Sequence, residues 1–222
     1  MRSLAKAAMF VDAENHADLH VSALLQRLSQ FDIVERHAYA DWRNRCLDRL
    51  AEQLEHTGFA MHHTWSGHSC GAQKNKADGQ MERDIVQVVS RCPEIETVVI
   101  VSGDAFFIRV AYQLRQQGRR VIVAADPLRA SKALRSAADE YLPVGELERW
   151  IQGLVRLEQA SRYLTFRFVV QQLEAEPSGL ARLIRKGLVV QEKVWRPQRG
   201  TRPEIRLNRQ APVVQAVLNT II

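Results

Sequence analysis

No stretch of the 222-residue chain approaches the roughly 18 consecutive apolar residues that a membrane span requires, so the chain is not expected to be a membrane protein. Cysteine is scarce. Cys46, Cys70 and Cys92 are odd in number, far apart and form no CxxC pair, which argues against a disulfide framework and a structural zinc knuckle and predicts reduced thiols. No GxGxxG follows the first apolar run, and no GxxxxGKS or GxxxxGKT occurs, which speaks against dinucleotide binding and a P-loop NTPase. The N-terminus, MRSLAKAAMFVDAEN, is a poor signal peptide, because its apolar stretch is short and runs straight into acidic residues. It predicts a cytoplasmic protein that begins with a buried strand.

What is present is an ordinary globular composition, 46% hydrophobic and 25% charged, in a chain long enough for one full core and a small second module. The expected division is a large domain at residues 1–150 and an appendage at residues 151–222. The net charge of +6 is unevenly placed: residues 151–222 hold twelve Lys and Arg against five Asp and Glu, residues 1–150 nineteen against twenty. A concentrated positive tail attracts phosphate backbones through counterion release, so nucleic acid is the expected partner.

Three short apolar runs stop at a carboxylate: AAMFV before Asp12, VVIVSG before Asp104, and VIVAA before Asp126. Each reads as a strand buried on both faces. Ile33–Ala40 and Phe59–Trp65 add two more strand candidates. Between these runs apolar residues recur at helical spacing, as in Met81, Ile85, Val88 and Val89, and again in Phe107, Val110, Ala111 and Leu114. Alternating strands and helices predict right-handed crossovers and a three-layer, Rossmann-like α/β domain with a mostly parallel sheet. Ligands of such sheets bind beyond the carboxyl ends of the strands, where Asp12 and Asp104 fall.

The segment EYLPVGELERWIQGLVRLEQASRYL is expected to close this domain with a helix and lead into the tail. The tail reads as a helix (Tyr163–Leu173), a second helix (Ser178–Gly187), and two strands flanking the basic turn RPQRGTRP, a winged-helix-like α+β pattern. Arg182, Arg185, Lys186, Lys193, Arg196, Arg199, Arg202 and Arg206 could follow a phosphate backbone, with Trp195 available for stacking or as a hairpin core residue. The apolar C-terminus, VVQAVLNTII, has two expected uses, packing on the tail or forming a homodimer.

The strongest local signal joins FVDAEN (Phe10–Asn15), KNKADGQMERD (Lys74–Asp84) and VSGDAFF (Val101–Phe107). Asp78 opens a helix whose core face continues through Met81 and Ile85, so its side chain should face the strand ends with Asp12 and Asp104. Clustered carboxylates raise one another's pKa unless a cation is present, which makes the cluster a natural site for Mg2+ or Mn2+. Asn15, Lys76 and Ser102 are candidates to hold a phosphate beside it. Each acid also has a plain structural role to weigh: Asp12, Asp78 and Asp104 could be helix N-caps, and Asp84 a solvated surface acid. His62, His63, His68 and Cys70 fit no standard zinc spacing. A receiver-like phosphoacceptor domain would need an adjacent acidic pair after the first strand and a lysine after the last, and neither is present.

In this order, FVDAEN, the lysine-led Asp78 and Asp84 six residues on, VSGDAFF and ADPLRASKALRSAADEYLPV resemble the NYN domain, the LabA-like branch of the PIN-like nuclease superfamily, over about residues 7–145. The resemblance implies a PIN-like fold, divalent-metal-dependent ribonuclease activity, and site residues at Asp12, Asn15, Asp78, Asp84 and Asp104. One position departs from it: members commonly read SGDxDF, and here the second acid is Phe106. Two functions follow as expectations, a ribonuclease acting on RNA, or a degenerate domain that binds RNA or DNA as a regulator.

Overall fold

The computed structural model describes residues 4–64, 76–196 and 200–221. It contains two compact units, Met1–Gly145 and Glu146–Ile222.

The first unit is built on six strands: β1 (Ala5–Asp12), β2 (Phe31–Ala40), β3 (Ala60–His63), β4 (Thr97–Val101), β5 (Arg120–Ala125) and β6 (Glu140–Pro143). All pair in parallel, in the order β3-β2-β1-β4-β5-β6. The two centre strands read as unbroken apolar runs because helices cover both faces. Along β1, Ala7, Met9 and Val11 enter one core with Leu24 of α1 (Val21–Arg27) and with Leu50 and Leu54 of α2 (Asp48–His56). Ala8 and Phe10 enter the other core. There they meet Met81 and Ile85 of α3 (Lys76–Arg91), Val110 and Leu114 of α4 (Ile108–Gln116), and Leu134 of α5 (Lys132–Ala137). The sheet is therefore the middle of three layers, as the alternation of runs predicts.

Chain direction across the sheet reverses between β1 and β4. The loops leaving their carboxyl ends diverge and leave a crevice there, the usual ligand position of an open parallel sheet. Asp12 ends β1, and Ser102 to Asp104 follow β4 directly.

Two expectations need correction. The segment after Asp139 begins with the edge strand β6, which sequence patterning missed because it spans four residues, half of them only partly buried, and ends in proline. The helix that follows, α6 (Glu146–Ala160), does not close the first unit: its Leu147, Trp150, Ile151 and Leu154 belong to the core of the second.

That second unit contains α6, α7 (Phe166–Gln172), α8 (Pro177–Arg185), an antiparallel hairpin of β7 (Val189–Arg196) and β8 (Gly200–Leu207), and α9 (Pro212–Ile221). Its core joins Trp150, Leu180, Leu183, Ile205 and the α9 residues Val214, Val217 and Leu218. The apolar C-terminus thus packs on its own unit. Among the described residues no helix is long and apolar enough to cross a membrane.

Phe107, fully buried between β4 and α4, tests this packing. Phe107→Ala should cost about 3–5 kcal/mol, read as a lower urea midpoint for the first unit.

Candidate functional site at the strand ends

Strand alternation turns the Asp12 side chain to the α3 side of the sheet, the side of Ala8 and Phe10, and the carboxylate is only 8% exposed. Two donors hold it. The Ser102 hydroxyl donates to Oδ2 at 2.9 Å, and the Asn15 backbone N–H donates to Oδ1 at 3.2 Å. The Asp104 backbone N–H in turn donates to the Ser102 oxygen at 3.2 Å. The Ser102–Asp12 bond therefore ties the end of β1 to the turn after β4, and a local bond on either side braces it.

Burial pushes the Asp12 carboxyl up to about 7; Ser102 and Asn15 pull it down, and the negative charges of Asp78 and Glu14 push it further up. Asp12 is not a helix cap, because α1 begins nine positions later with His20 as its N-cap. Asp78 is no cap either: it lies inside the first turn of α3, two positions after Lys76 opens the helix, half-buried and close enough for Asp12 to feel its charge. A carboxylate in a first helical turn also complements the helix dipole.

Asp84, one and a half turns further along α3, is half-buried and accepts the Tyr39 hydroxyl on Oδ2 at 2.9 Å. Tyr39 pairs with Asp12 in the β1–β2 register and is 1% exposed. Burial first, and Asp84 second, push this phenol far up, so it remains a donor to the carboxylate. Asp84 is accordingly held at the same end of the sheet as Asp12, and Tyr39 is the residue that motif reading missed. Period-two reading from Phe31 and Ile33 puts Tyr39 on the opposite face; the irregularity where β2 passes from Ile33 to Glu35 against Ala7 and Ala8 turns it to the α3 side, and no sequence motif marks that irregularity.

Asp104 is exposed, and its Oδ1 accepts the Phe106 N–H at 2.8 Å, capping the short 3-10 turn Ala105–Phe107. The capping role anticipated for it is thus present, leaving the residue at the crevice mouth. Phe106 stands against Phe107 edge-to-face, with centroids 5.6 Å apart, and packs on the second core. Asn15 is half-buried in the loop after β1. Its neighbour His16 is fully buried and kept neutral, its pKa pushed down to about 4 by burial.

Ser102 is fully buried, with its hydroxyl proton committed to Asp12, so in this geometry it orients the carboxylate. Of the histidine and cysteine cluster, His62 shares a hydrogen bond with His37 at 3.0 Å and His63 stands 3.8 Å from Asp41. His68 and Cys70 lie outside the described residues, as do Arg199 and the side chains of Lys76 and Arg196. Arg182, Arg185, Lys186 and Arg202 are all exposed, and Arg182 is ion-paired to Glu146.

The donor set suits a hard cation. Asp12 and Asp78 offer carboxylate oxygens, and the raised Asp12 pKa is the strain that a bound positive charge relieves. Among the described residues no three His, Cys, Asp or Glu side chains converge as a closed metal cage. An ion of the Mg2+ type does not need one, since it is normally held by one or two carboxylates and keeps several waters.

Comparison with known families decides the assignment at this point: the model for the NYN domain matches residues 6–148. The chain belongs to the NYN-domain family. The fold agrees with a crystal structure of a protein of unknown function from Vibrio parahaemolyticus. That structure is similar at TM-score 0.54 with 21% identity, over 66% of this chain and 98% of the other. No curated protein matches the chain. NYN domains belong to the PIN-like nucleases, so nuclease-type chemistry that generally uses divalent metals is the coarse reading of this site.

Two predictions rest on the Asp12 environment. A carboxyl whose folded pKa is raised stabilises the fold below its unfolded value and loses that contribution as pH climbs toward the folded value. In EDTA, the protein should therefore lose stability relative to Asp12→Asn between about pH 4 and 7, and added Mg2+ should restore it, as followed by thermal melts. Ser102→Ala should weaken Mn2+ binding by about 10- to 100-fold, measured by titration calorimetry.

Proposed function

We propose that this NYN protein is a divalent-metal-dependent ribonuclease that hydrolyses RNA phosphodiester bonds at the acidic carboxyl edge of the sheet. The observation that carries the reading is Asp12: a buried carboxyl at the β1–β4 reversal, pinned by Ser102 and raised to about 7 beside Asp78. A side chain buried at such electrostatic cost is characteristic of a functional site rather than of a structural cap.

In this reading Asp12 and Asp78 would hold Mg2+ or Mn2+ with waters completing its shell, while Asp104 at the crevice mouth and Asp84 on its Tyr39 support add negative charge at the same edge. When bound, such an ion would supply charge neutralisation at the phosphate and lower the pKa of a coordinated water. Ser102 fixes the carboxylate plane of Asp12. The Asn15 amide donates to a phosphate oxygen.

A second reading has one specific observation in its favour. Phe106 occupies the position where family members commonly carry an acid, and its ring packs on the core without replacing that ligand. A domain short of one carboxylate could bind RNA or DNA as a regulator without cutting it.

Incubation of labelled single-stranded RNA with the purified protein in Mn2+, Mg2+ or EDTA separates the two. The ribonuclease reading expects metal-dependent cleavage that Asp12→Asn abolishes while RNA binding persists or improves, because repulsion of phosphate falls. Binding without cleavage in either metal would establish the regulator instead.

A further inference from the structure

The second unit carries the whole net charge. Residues 146–222 hold thirteen Lys and Arg against seven Asp and Glu, while residues 1–145 hold eighteen of each. Two of its surfaces could meet a polyanion, helix α8 and the β7–β8 hairpin, and they differ in what they can admit.

Helices that read duplex DNA present their first turn to base edges in the major groove. The first turn of α8 is not available for this. Gly179 is buried so closely against α6 that a Cβ there would come within 2.9 Å of the Trp150 ring and 3.2 Å of the Glu146 carboxylate. The same Glu146 accepts the Trp150 indole N–H at 3.2 Å and pairs with Arg182. An acid at this end repels phosphate, and the basic residue best placed to counter it is already paired.

The hairpin has the opposite character. Val189, Gln191, Lys193 and Trp195 share one face of β7, opposite Leu207, Ile205, Pro203 and Thr201 of β8. At the base, Val189, Ile205 and Leu207 are buried in the core. Toward the tip the same face runs out into solvent: Lys193, Thr201 and Pro203 are exposed, and Trp195 is 68% exposed. Among the described residues Trp195 is the sole large apolar side chain of this unit so exposed. It is thus not a hairpin core residue. An indole left in water beside a cation, on a strongly basic unit, has the composition of a stacking platform for nucleic-acid bases.

We infer that the β7–β8 hairpin binds single-stranded RNA, with an unpaired base stacked on Trp195 and the neighbouring phosphate at Lys193. Base pairs in a duplex keep their faces covered, so the platform selects unpaired strands. The inference rests on the RNA substrate of the proposed function and is independent of cleavage.

The test is fluorescence anisotropy of a labelled unstructured RNA oligomer against the full chain in EDTA, where cleavage does not interfere. Trp195→Ala should weaken binding roughly 5- to 150-fold and Trp195→Phe should keep most of the affinity, because any aromatic face stacks. Lys193→Ala should reduce the salt slope by about 0.7. A duplex of the same sequence should compete poorly. Circular dichroism checks that the variants fold, which the exposure of Trp195 favours. Unchanged affinity in Trp195→Ala, equal affinity for the duplex, or no binding of the oligomer by the wild type would each overturn the inference. Metal-dependent cleavage with unchanged Trp195→Ala binding would sink it and leave the ribonuclease standing. Trp195-dependent binding without cleavage would do the reverse.

Discussion

The central strands β1 and β4 are covered by helices on both faces, and from Ala7 to Val11 and Val98 to Val101 neither has a solvent side on which to carry a polar residue. A charge can be accommodated only where each strand ends. Because the chain direction across the sheet reverses between these two strands, their ends open on one crevice, and the carboxylates of Asp12 and Asp104 are brought to its walls. The chemistry proposed for the molecule depends on that constraint. Helix α3 supplies Asp78 because its apolar stripe must lie on the sheet, which turns its first turn toward the same edge.

This geometry also shows how much was legible in the residues themselves. The runs AAMFV, VVIVSG and VIVAA could be read as buried strands because parallel, doubly covered strands need no alternation, and the acids that stop them marked the carboxyl edge. Edge strand β6 was not legible, since four half-covered residues ending in proline carry neither pattern. The wrong assignment of α6 has a similar cause: an amphipathic helix declares that it buries a face, not which core receives it. At the site, Asp12 and Asp78 could be found from spacing, whereas the links from Asp104 through Ser102 to Asp12, and from Tyr39 to Asp84, join residues far apart in sequence and emerge only from the fold.

The two units divide the electrostatic work. The first is neutral overall and concentrates negative charge at one sheet edge, which without a cation repels the phosphate it is proposed to cut. The second holds the excess positive charge and is the unit proposed to bind the same polymer.

The Phe106 ring lies against Phe107 and fills space at the margin of the second core, so the position serves cohesion. Restoring a carboxylate there would gain a ligand at the crevice but open a void and press a charge on apolar neighbours. Packing and metal ligation thus compete for this one position, and an acid there would need neighbours reshaped to receive it.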